Sequence, residues 1–200
     1  DTEEEGKLSF KAKDNQVTNV SFSERGFYED ITYVESPLYF HLLDSLKSSV
    51  AYREMKRTLG YKPMVPAHVK DFVDKVLNFQ NFDTQLSLFE PQSKDFHTAD
   101  IIHGTFAYDK SSRSIVYQKD GMKIKPINVA SGIKSFGALQ LLLDGSCISN
   151  NRPLIWDEPE NHLHPQWQVE FAKVIVQIVN SGIPVMISTH SPYFLQAVRY

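Results

Sequence analysis

The composition of this 200-residue chain limits the classes of protein to which it can belong. Hydrophobic residues make up 42% and aromatic residues 12% of it, enough to bury one good core with at most a satellite subdomain. The formal net charge of −3 and the lack of a Lys/Arg-rich block give no support to nucleic-acid binding. The single cysteine excludes an internal disulfide, and no apolar run approaches the roughly 18 residues of a membrane span. We therefore expect a cytoplasmic protein that does not enter a membrane.

Strand-like sequence opens the chain. Residues 7–20 alternate apolar and polar side chains, and Asp14-Asn15 offers a turn among them. A second β-prone run, 31–34, stops at Ser36-Pro37, which is a typical start of a helix. We therefore predict N-terminal strands that belong to the core of the fold, followed by a change to helices.

A helical region is predicted from Pro37 to about Phe89. Its apolar residues recur with a helical period in two stretches, which Gly60 to Pro66 separate. We expect both apolar faces to pack into a core rather than to form a groove for a partner. The first face consists of Leu38, Leu42, Leu43, Leu46 and Val50, and the second of Val69, Phe72, Val73, Val76 and Leu77.

An antiparallel meander and a further helix are predicted next. Three β-prone runs are separated by polar turn residues, a pattern typical of such a meander. These runs are 104–108, 114–118 and 122–124. Ser131 is a suitable N-cap for a helix from Ile133 to Leu143, and Gly132 lets the backbone approach an anion. We expect the free amides and the positive dipole end of this helix to face phosphate.

The last part of the chain predicts a β-α-β unit. An apolar run ends in Asp157-Glu158, which indicates a buried parallel strand that leaves the sheet at its charged end. A second such strand ends near His190, and the helix between them starts at His164-Pro165 and stops at Ser181-Gly182. We therefore expect Asp157, Glu158 and His190 on adjacent strand ends, where open α/β sheets bind ligands.

This group of side chains suits phosphoryl transfer from a nucleotide to water. An Asp at the end of an apolar strand can hold Mg²⁺, usually through water, and the metal neutralises charge between the β- and γ-phosphates. Asp157 fits that role. Glu158 points to the other side of the strand and can orient or deprotonate the attacking water. His190 can form a hydrogen bond with the γ-phosphate.

Three segments resemble a known family. The run from Asp157 to Pro165 and the run from Ser188 to Pro192 resemble the Walker B and histidine-switch motifs of ABC-type ATPases. The similarity is to the soluble branch related to SMC, Rad50 and OLD-family proteins. Ala130-Ser131-Gly132-Ile133-Lys134 resembles the ABC signature loop. The resemblance covers the chain well from about Gly104 onward and only loosely before it.

The resemblance implies an α/β, ABC-ATPase-like (P-loop NTPase) fold with parallel core strands, an antiparallel β meander and an inserted helical lobe. Residues 1–36 would be N-terminal strands of the core and 37–100 the helical lobe. Residues 101–200 would carry the signature, Walker B and histidine switch.

The resemblance also implies ATP hydrolysis with Mg²⁺ in a head that dimerises around ATP, either as a homodimer or with a second ATPase head. Asp157 would hold Mg²⁺, and Glu158 and His190 would be catalytic. Ser131 and Gly132 would contact the ATP of the opposing subunit. Lys134 would place its ammonium on the γ-phosphate of that ATP, as an arginine finger does in trans.

The sequence also departs from the family. No Gly-x-x-x-x-Gly-Lys-Ser/Thr motif occurs in the 200 residues, so we expect the phosphate cradle to precede Asp1 or to come from a partner chain. The 200 residues alone are accordingly expected to be inactive. Glu35 or Ser36 stands where the family has its Q-loop glutamine, and Glu160-Asn161-His162-Leu163 alters the usual D-loop.

Alternatives stay open at this point. A chain without a phosphate cradle could be a non-catalytic ABC-like binding or regulatory module. The ATPase part of an OLD-type nuclease would need an acidic nuclease domain beyond Tyr200. His162 and His164 with Glu158 or Glu160 could form a zinc cluster, although the spacing differs from that of a His-Glu-x-x-His helix. The sequence does not identify a nucleic-acid or defence-system partner.

Overall fold

A computed structural model describes five stretches of the chain. They are residues 8–13, 16–22, 28–43, 65–82 and 96–199. Side chains are described within 28–43, 65–77 and 96–199. The turn predicted at Asp14-Asn15 and the predicted helical residues 44–64 and 83–95 lie outside the described residues.

The two N-terminal strands pair antiparallel with each other. Strand β1 (Leu8–Lys13) pairs with β2 (Gln16–Phe22), and Leu8 lies opposite Phe22. Alternation with period two is what places successive side chains on opposite faces of such a ribbon. The prediction of strands in this part of the chain is confirmed.

A three-stranded parallel sheet carries the side chains that the sequence singled out. Strands β3 (Thr32–Val34), β7 (Leu154–Asp157) and β8 (Val185–Ser188) lie in the order β3-β7-β8. Asp157 is paired with Ser188, so β7 and β8 end at the same edge. The predicted parallel strands are confirmed, and the polar residues that follow them come together at that edge.

The predicted meander is a separate antiparallel sheet in the order β4-β5-β6. Its strands are β4 (Thr105–Asp109), β5 (Ser114–Lys119) and β6 (Met122–Ile124). Together with the parallel sheet and the helices, it confirms the predicted mixed α/β class.

The described residues contain five α-helices, and those that begin at Ala67, Ser131 and Pro165 lie in stretches predicted to be helical. They are α1 (Ala67–Phe82), α2 (Thr98–Ile102), α3 (Ser131–Asp144), α4 (Pro165–Asn180) and α5 (Pro192–Arg199). Helix α4 begins as predicted, because His164 occupies the N-cap and its Nδ1 accepts a hydrogen bond from the Gln166 amide. In the described ranges, no helix is long and apolar enough to span a membrane.

The helix predicted to start at Pro37 is a 3₁₀-helix over Pro37–Leu42. Ser36 caps it, since its Oγ accepts a hydrogen bond from the Leu38 amide at 3.2 Å. A 3₁₀-helix has about 3.0 residues per turn, so an apolar face drawn with an α-helical period does not stay aligned. Phe40 and Leu43 are buried, whereas Leu42 is 40% exposed. The prediction of Leu42 on the buried face is therefore wrong, and Leu46 and Val50 lie outside the described residues.

An aromatic cluster in the core joins α3, β7 and α4. Phe136, Trp156 and Phe171 are fully buried. The Phe171 ring packs edge-to-face against Phe136 with centroids 5.0 Å apart and against Trp156 at 5.3 Å. Such pairs stabilise a core beyond their burial alone. Because Trp156 directly precedes Asp157, this packing fixes the end of β7 where the candidate site lies.

Candidate functional site

The ends of β7 and β8 bring Asp157, Glu158 and His190 together. Asp157 lies beside Ser188 in the sheet, and the Ser188 hydroxyl donates a hydrogen bond to Asp157 Oδ1. His190 Nδ1 lies 2.8 Å from Glu158 Oε1. The side chains are 72% exposed for His190 and 39% for Glu158, so both can reach a bound molecule. The structure thus groups the residues that the sequence placed on adjacent strand ends.

Glu158 adopts a backbone conformation that is uncommon for a residue with a side chain. Its φ of +45° lies in the left-handed region, which costs energy for a residue with a Cβ atom and occurs at turns and at functional sites. Its amide donates to the Ser188 carbonyl at 3.0 Å and to the Ser188 hydroxyl at 3.2 Å. These bonds hold the chain as it turns out of β7.

Asn161 is a residue of the site that the sequence analysis named only within the altered D-loop, with no role assigned. Its Nδ2 donates a hydrogen bond to Glu158 Oε2 at 2.7 Å, and its amide donates to the Glu158 carbonyl at 3.0 Å. One oxygen of the Glu158 carboxylate is therefore held by Asn161 and the other by His190. The available signal was an Asn three residues after an acid within a polar turn, where such side chains often bond to neighbouring groups.

Glu160 is a second residue whose role the sequence analysis missed, since it named Glu160 only within the altered D-loop and as a possible zinc ligand. Its side chain is only 4% exposed. Its Oε1 accepts from the Thr189 hydroxyl at 2.6 Å, the His190 amide at 3.1 Å and the Ser191 amide at 3.2 Å. Glu160 therefore binds the segment that carries His190.

The grouping that would form a zinc cluster is not brought together. Glu160 faces residues 189–191, and His164 caps α4. Across the described part of the chain, no three His, Cys, Asp or Glu side chains are placed to hold a metal ion among themselves. Asp157 and the Ser188 hydroxyl do present oxygen atoms, which Mg²⁺ prefers as ligands, and this metal usually keeps several waters. The strand ends therefore fit a water-rich magnesium site better than a protein cage.

The start of α3 corrects the predicted N-cap. The helix begins at Ser131, and Ala130 occupies the N-cap position without a side-chain hydrogen bond. A shift of one residue moves the Ser131 hydroxyl past the place from which it could cap the helix. The prediction of Ser131 as N-cap is therefore wrong. The first amides of α3 lack a side-chain cap, which is the arrangement that an anion can complete.

Gly132 allows α3 to pack closely against the segment after β7. A Cβ atom at this position would lie 3.0 Å from Leu163 Cδ2 and 3.1 Å from Trp167 Cε3. These contacts are tight enough that the neighbours would have to move. Gly132 thus serves packing in this structure, and its predicted contact with nucleotide stays a prediction.

Lys134 is buried rather than exposed. Its side chain is 2% exposed, and its amine contacts His41 Nε2. Burial lowers the pKa of the Lys134 amine below its ordinary value. Burial and the Lys134 charge likewise lower the pKa of His41. Among the described residues, Lys134 forms no hydrogen bond or ion pair with Asp157, Glu158 or His190.

Glu35 and Ser36, the two residues at the predicted Q-loop position, have local partners. Glu35 Oε2 accepts from the Tyr39 hydroxyl and lies 2.9 Å from His68 Nε2. The hydrogen bonds from Tyr39 and His68 hold the pKa of Glu35 below its ordinary value. Ser36 caps the 3₁₀-helix, as described above. These contacts assign neither residue to a nucleotide.

Comparison with known proteins identifies a family to which the chain is matched and a solved structure to which it is similar. A family model described as an AAA ATPase domain matches residues 7–195. No curated protein matches the chain. Among solved structures, the chain is similar to the SMC head domain from Thermotoga maritima, with 16% sequence identity and a TM-score of 0.38. The match covers 68% of this chain and 56% of that head domain, so the chain spans little more than half of that structure.

Proposed function

Because the chain belongs to the AAA ATPase domain family, we propose that the ends of β7 and β8 form a site of ATP hydrolysis. The observation that supports this proposal is the group of Asp157, Glu158 and His190 at one sheet edge. A carboxylate for the metal, a second carboxylate for water and an imidazole for phosphate are the functional groups that such a reaction needs.

We assign Asp157 to Mg²⁺, which when bound would neutralise charge between the β- and γ-phosphates. The Ser188 hydroxyl donates to Asp157 Oδ1 and so orients its carboxylate. Hydrogen bonds to a ligating carboxylate fix its direction and are part of the design of a metal site. We expect the second oxygen of the Asp157 carboxylate to bind the metal.

We assign Glu158 as the base that takes a proton from the attacking water. Its Oε2 is held by Asn161, which leaves Oε1 as the atom that accepts the proton. Oε1 contacts His190 Nδ1 in this structure. A γ-phosphate that takes His190 as its hydrogen-bond partner would leave Oε1 available for the water. Binding of ATP would in this way prepare the base.

Association of two heads around ATP is the second part of the proposal. Ser131 and Gly132 lie at the start of α3, whose first amides have no side-chain cap. Free amides at a helix N-terminus bind anionic oxygens, which suits the triphosphate of an ATP held by the opposing subunit. Lys134 would join them after its amine leaves His41, and a nearby polyphosphate would favour the charged amine that burial disfavours.

Replacement of Asp157 tests the position of the metal. In the full-length protein, we expect Asp157→Ala to weaken the binding of Mg-ATP by about tenfold or more, because the carboxylate that orients the metal is lost. Calorimetry with Mg-ATP and with ATP plus EDTA measures this effect. The difference in ATP affinity between Asp157→Ala and wild type should disappear when EDTA removes the metal.

Asp74→Ala is the matched control. Asp74 lies on α1, is 39% exposed and pairs with Lys70, so its removal should leave Mg-ATP affinity unchanged. Equal Mg-ATP affinity for Asp157→Ala and wild type would reject the assignment of Asp157.

A mixture of two inactive variants tests the composite site. In an ATP-bound homodimer, a Lys134→Ala subunit and a Glu158→Gln subunit together form one site in which both residues are present. We expect the mixture to hydrolyse ATP faster than the two variants added together. Steady-state phosphate release at a fixed total concentration measures the rate. A mixture no faster than that sum would argue against a role of Lys134 in trans.

A further inference from the structure

We propose that Glu160 is a positioning residue that holds His190 in register with Glu158 for the hydrolytic step. This inference rests on the proposed function of the site. Glu160 itself reaches neither solvent nor Glu158, because its side chain is 4% exposed and its bonds run to the segment after β8. It would therefore act through His190 and not on the reacting atoms.

The contacts of Glu160 cover three consecutive residues of one segment. Its Oε1 accepts from the hydroxyl of Thr189 and from the amides of His190 and Ser191. Three donors that converge on one oxygen determine the path of the backbone at His190. A carboxylate forms hydrogen bonds roughly twice as strong as those of a neutral acceptor. The backbone that carries the imidazole is thus held by the strongest acceptor that a side chain offers.

A further connection ties the same segment to the loop after β7. The Ser191 hydroxyl donates to Gln168 Oε1 at 2.6 Å, and Gln168 Nε2 donates to the Leu163 carbonyl at 3.0 Å. The segment 189–191 and the loop 158–163 are therefore joined at Glu160 and again through Gln168. These bonds fix the backbone at His190 relative to the loop that carries Glu158, and the imidazole extends from that backbone toward Glu158 Oε1.

The charge of Glu160 points to a role beyond holding the backbone. Burial of a carboxylate costs free energy, and its Oε2 has no hydrogen-bond partner among the described residues. A Gln would keep an oxygen acceptor for the same three donors at a smaller desolvation cost. The carboxylate also lies near the imidazole, with Oε1 3.9 Å from His190 Nδ1.

Kinetics of three variants of the full-length protein test the proposal. Glu160→Ala removes the acceptor and the charge, and we expect kcat for ATP hydrolysis to fall by about 10- to 100-fold with KM changed less than about twofold. Glu160→Gln keeps the acceptor, so its kcat should lie between those of Glu160→Ala and wild type. Glu170→Gln is the matched control, because Glu170 lies on α4 and pairs with Lys173 near the surface. It should behave as wild type.

Amide hydrogen exchange tests the same proposal without reference to catalysis. In the nucleotide-free protein, we expect the His190 and Ser191 amides to exchange about tenfold faster in Glu160→Ala, because each loses a charged acceptor. Glu160→Gln should show a smaller increase and Glu170→Gln none. Glu160→Gln decides the matter if Glu160→Ala fails to fold, since it retains shape and acceptor.

The kinetics and the amide exchange together distinguish a failure of the proposed ATPase function from a failure of the role given to Glu160. A wild-type protein that releases no phosphate from ATP would reject the proposed function, whereas the exchange rates would still report on Glu160. Exchange at His190 and Ser191 that is unchanged in Glu160→Gln and Glu160→Ala would overturn the inference. Wild-type kcat in both variants would overturn it as well. A raised KM for ATP with unchanged kcat would contradict a role of Glu160 in the hydrolytic step.

Discussion

Glu158→Gln in the full-length protein should lower steady-state ATP hydrolysis by about 10²-fold or more while ATP binding stays intact. The substitution keeps the shape of the side chain, but an amide cannot accept the proton of the attacking water. ATP should therefore persist in the site, and ATP-bound dimers should accumulate. Phosphate release gives the rate, and size-exclusion chromatography with Mg-ATP gives the fraction of dimer.

Glu170→Gln is again the matched control for this substitution, since it removes an exposed carboxylate on α4 by the same change of atoms. It should leave both the rate and the fraction of dimer unchanged. Single-turnover hydrolysis by Glu158→Gln at the wild-type rate would remove Glu158 from the role of base.

Phe171→Ala should destabilise the protein by about 3–5 kcal/mol, the usual cost of removing a fully buried aromatic ring. Phe171 is fully buried and packs against both Phe136 and Trp156, so the substitution opens a cavity between α3, β7 and α4. Chemical denaturation measures the change in free energy of unfolding. Because Trp156 precedes Asp157, ATP hydrolysis should fall along with stability.

Val179→Ala controls for the effect of shortening an apolar side chain on the same helix. Val179 lies on α4 and is 47% exposed. We expect its replacement to change stability by no more than about 0.5 kcal/mol. A loss below about 1 kcal/mol for Phe171→Ala would show that the aromatic cluster does not hold the end of β7.

The strand and helix boundaries that depend on neighbouring residues could be predicted from the sequence. An apolar run that ends in two acids identified β7, and His164-Pro165 and Ser181-Gly182 marked the ends of α4 within one residue. These signals work because strand burial, proline at a helix start and glycine after a helix end are decided by neighbouring residues. The position of the candidate site followed from them, since parallel strands end at a common edge.

The contacts that could not be predicted depend on single backbone angles or on distant residues. Glu158 and His162 both have positive φ, and the turn between them directs Glu160 inward, although the two acids at 157 and 158 are only partly buried. Burial of Lys134 depends on His41, which lies 93 residues earlier in the chain. The spacing of apolar residues along the sequence predicts which face of an element is buried, but it does not predict contacts between residues far apart in the chain.

The most direct test of ATP hydrolysis at this site identifies the nucleotide that stays bound to the protein. The full-length protein is mixed with Mg-ATP and rapidly separated from free nucleotide, and the bound nucleotide is analysed. Hydrolysis at the ends of β7 and β8 predicts ADP on the wild type, ATP on Glu158→Gln and little nucleotide on Asp157→Ala. ADP on Glu158→Gln in the wild-type proportion, together with full retention of nucleotide by Asp157→Ala, would contradict the assignment of this site.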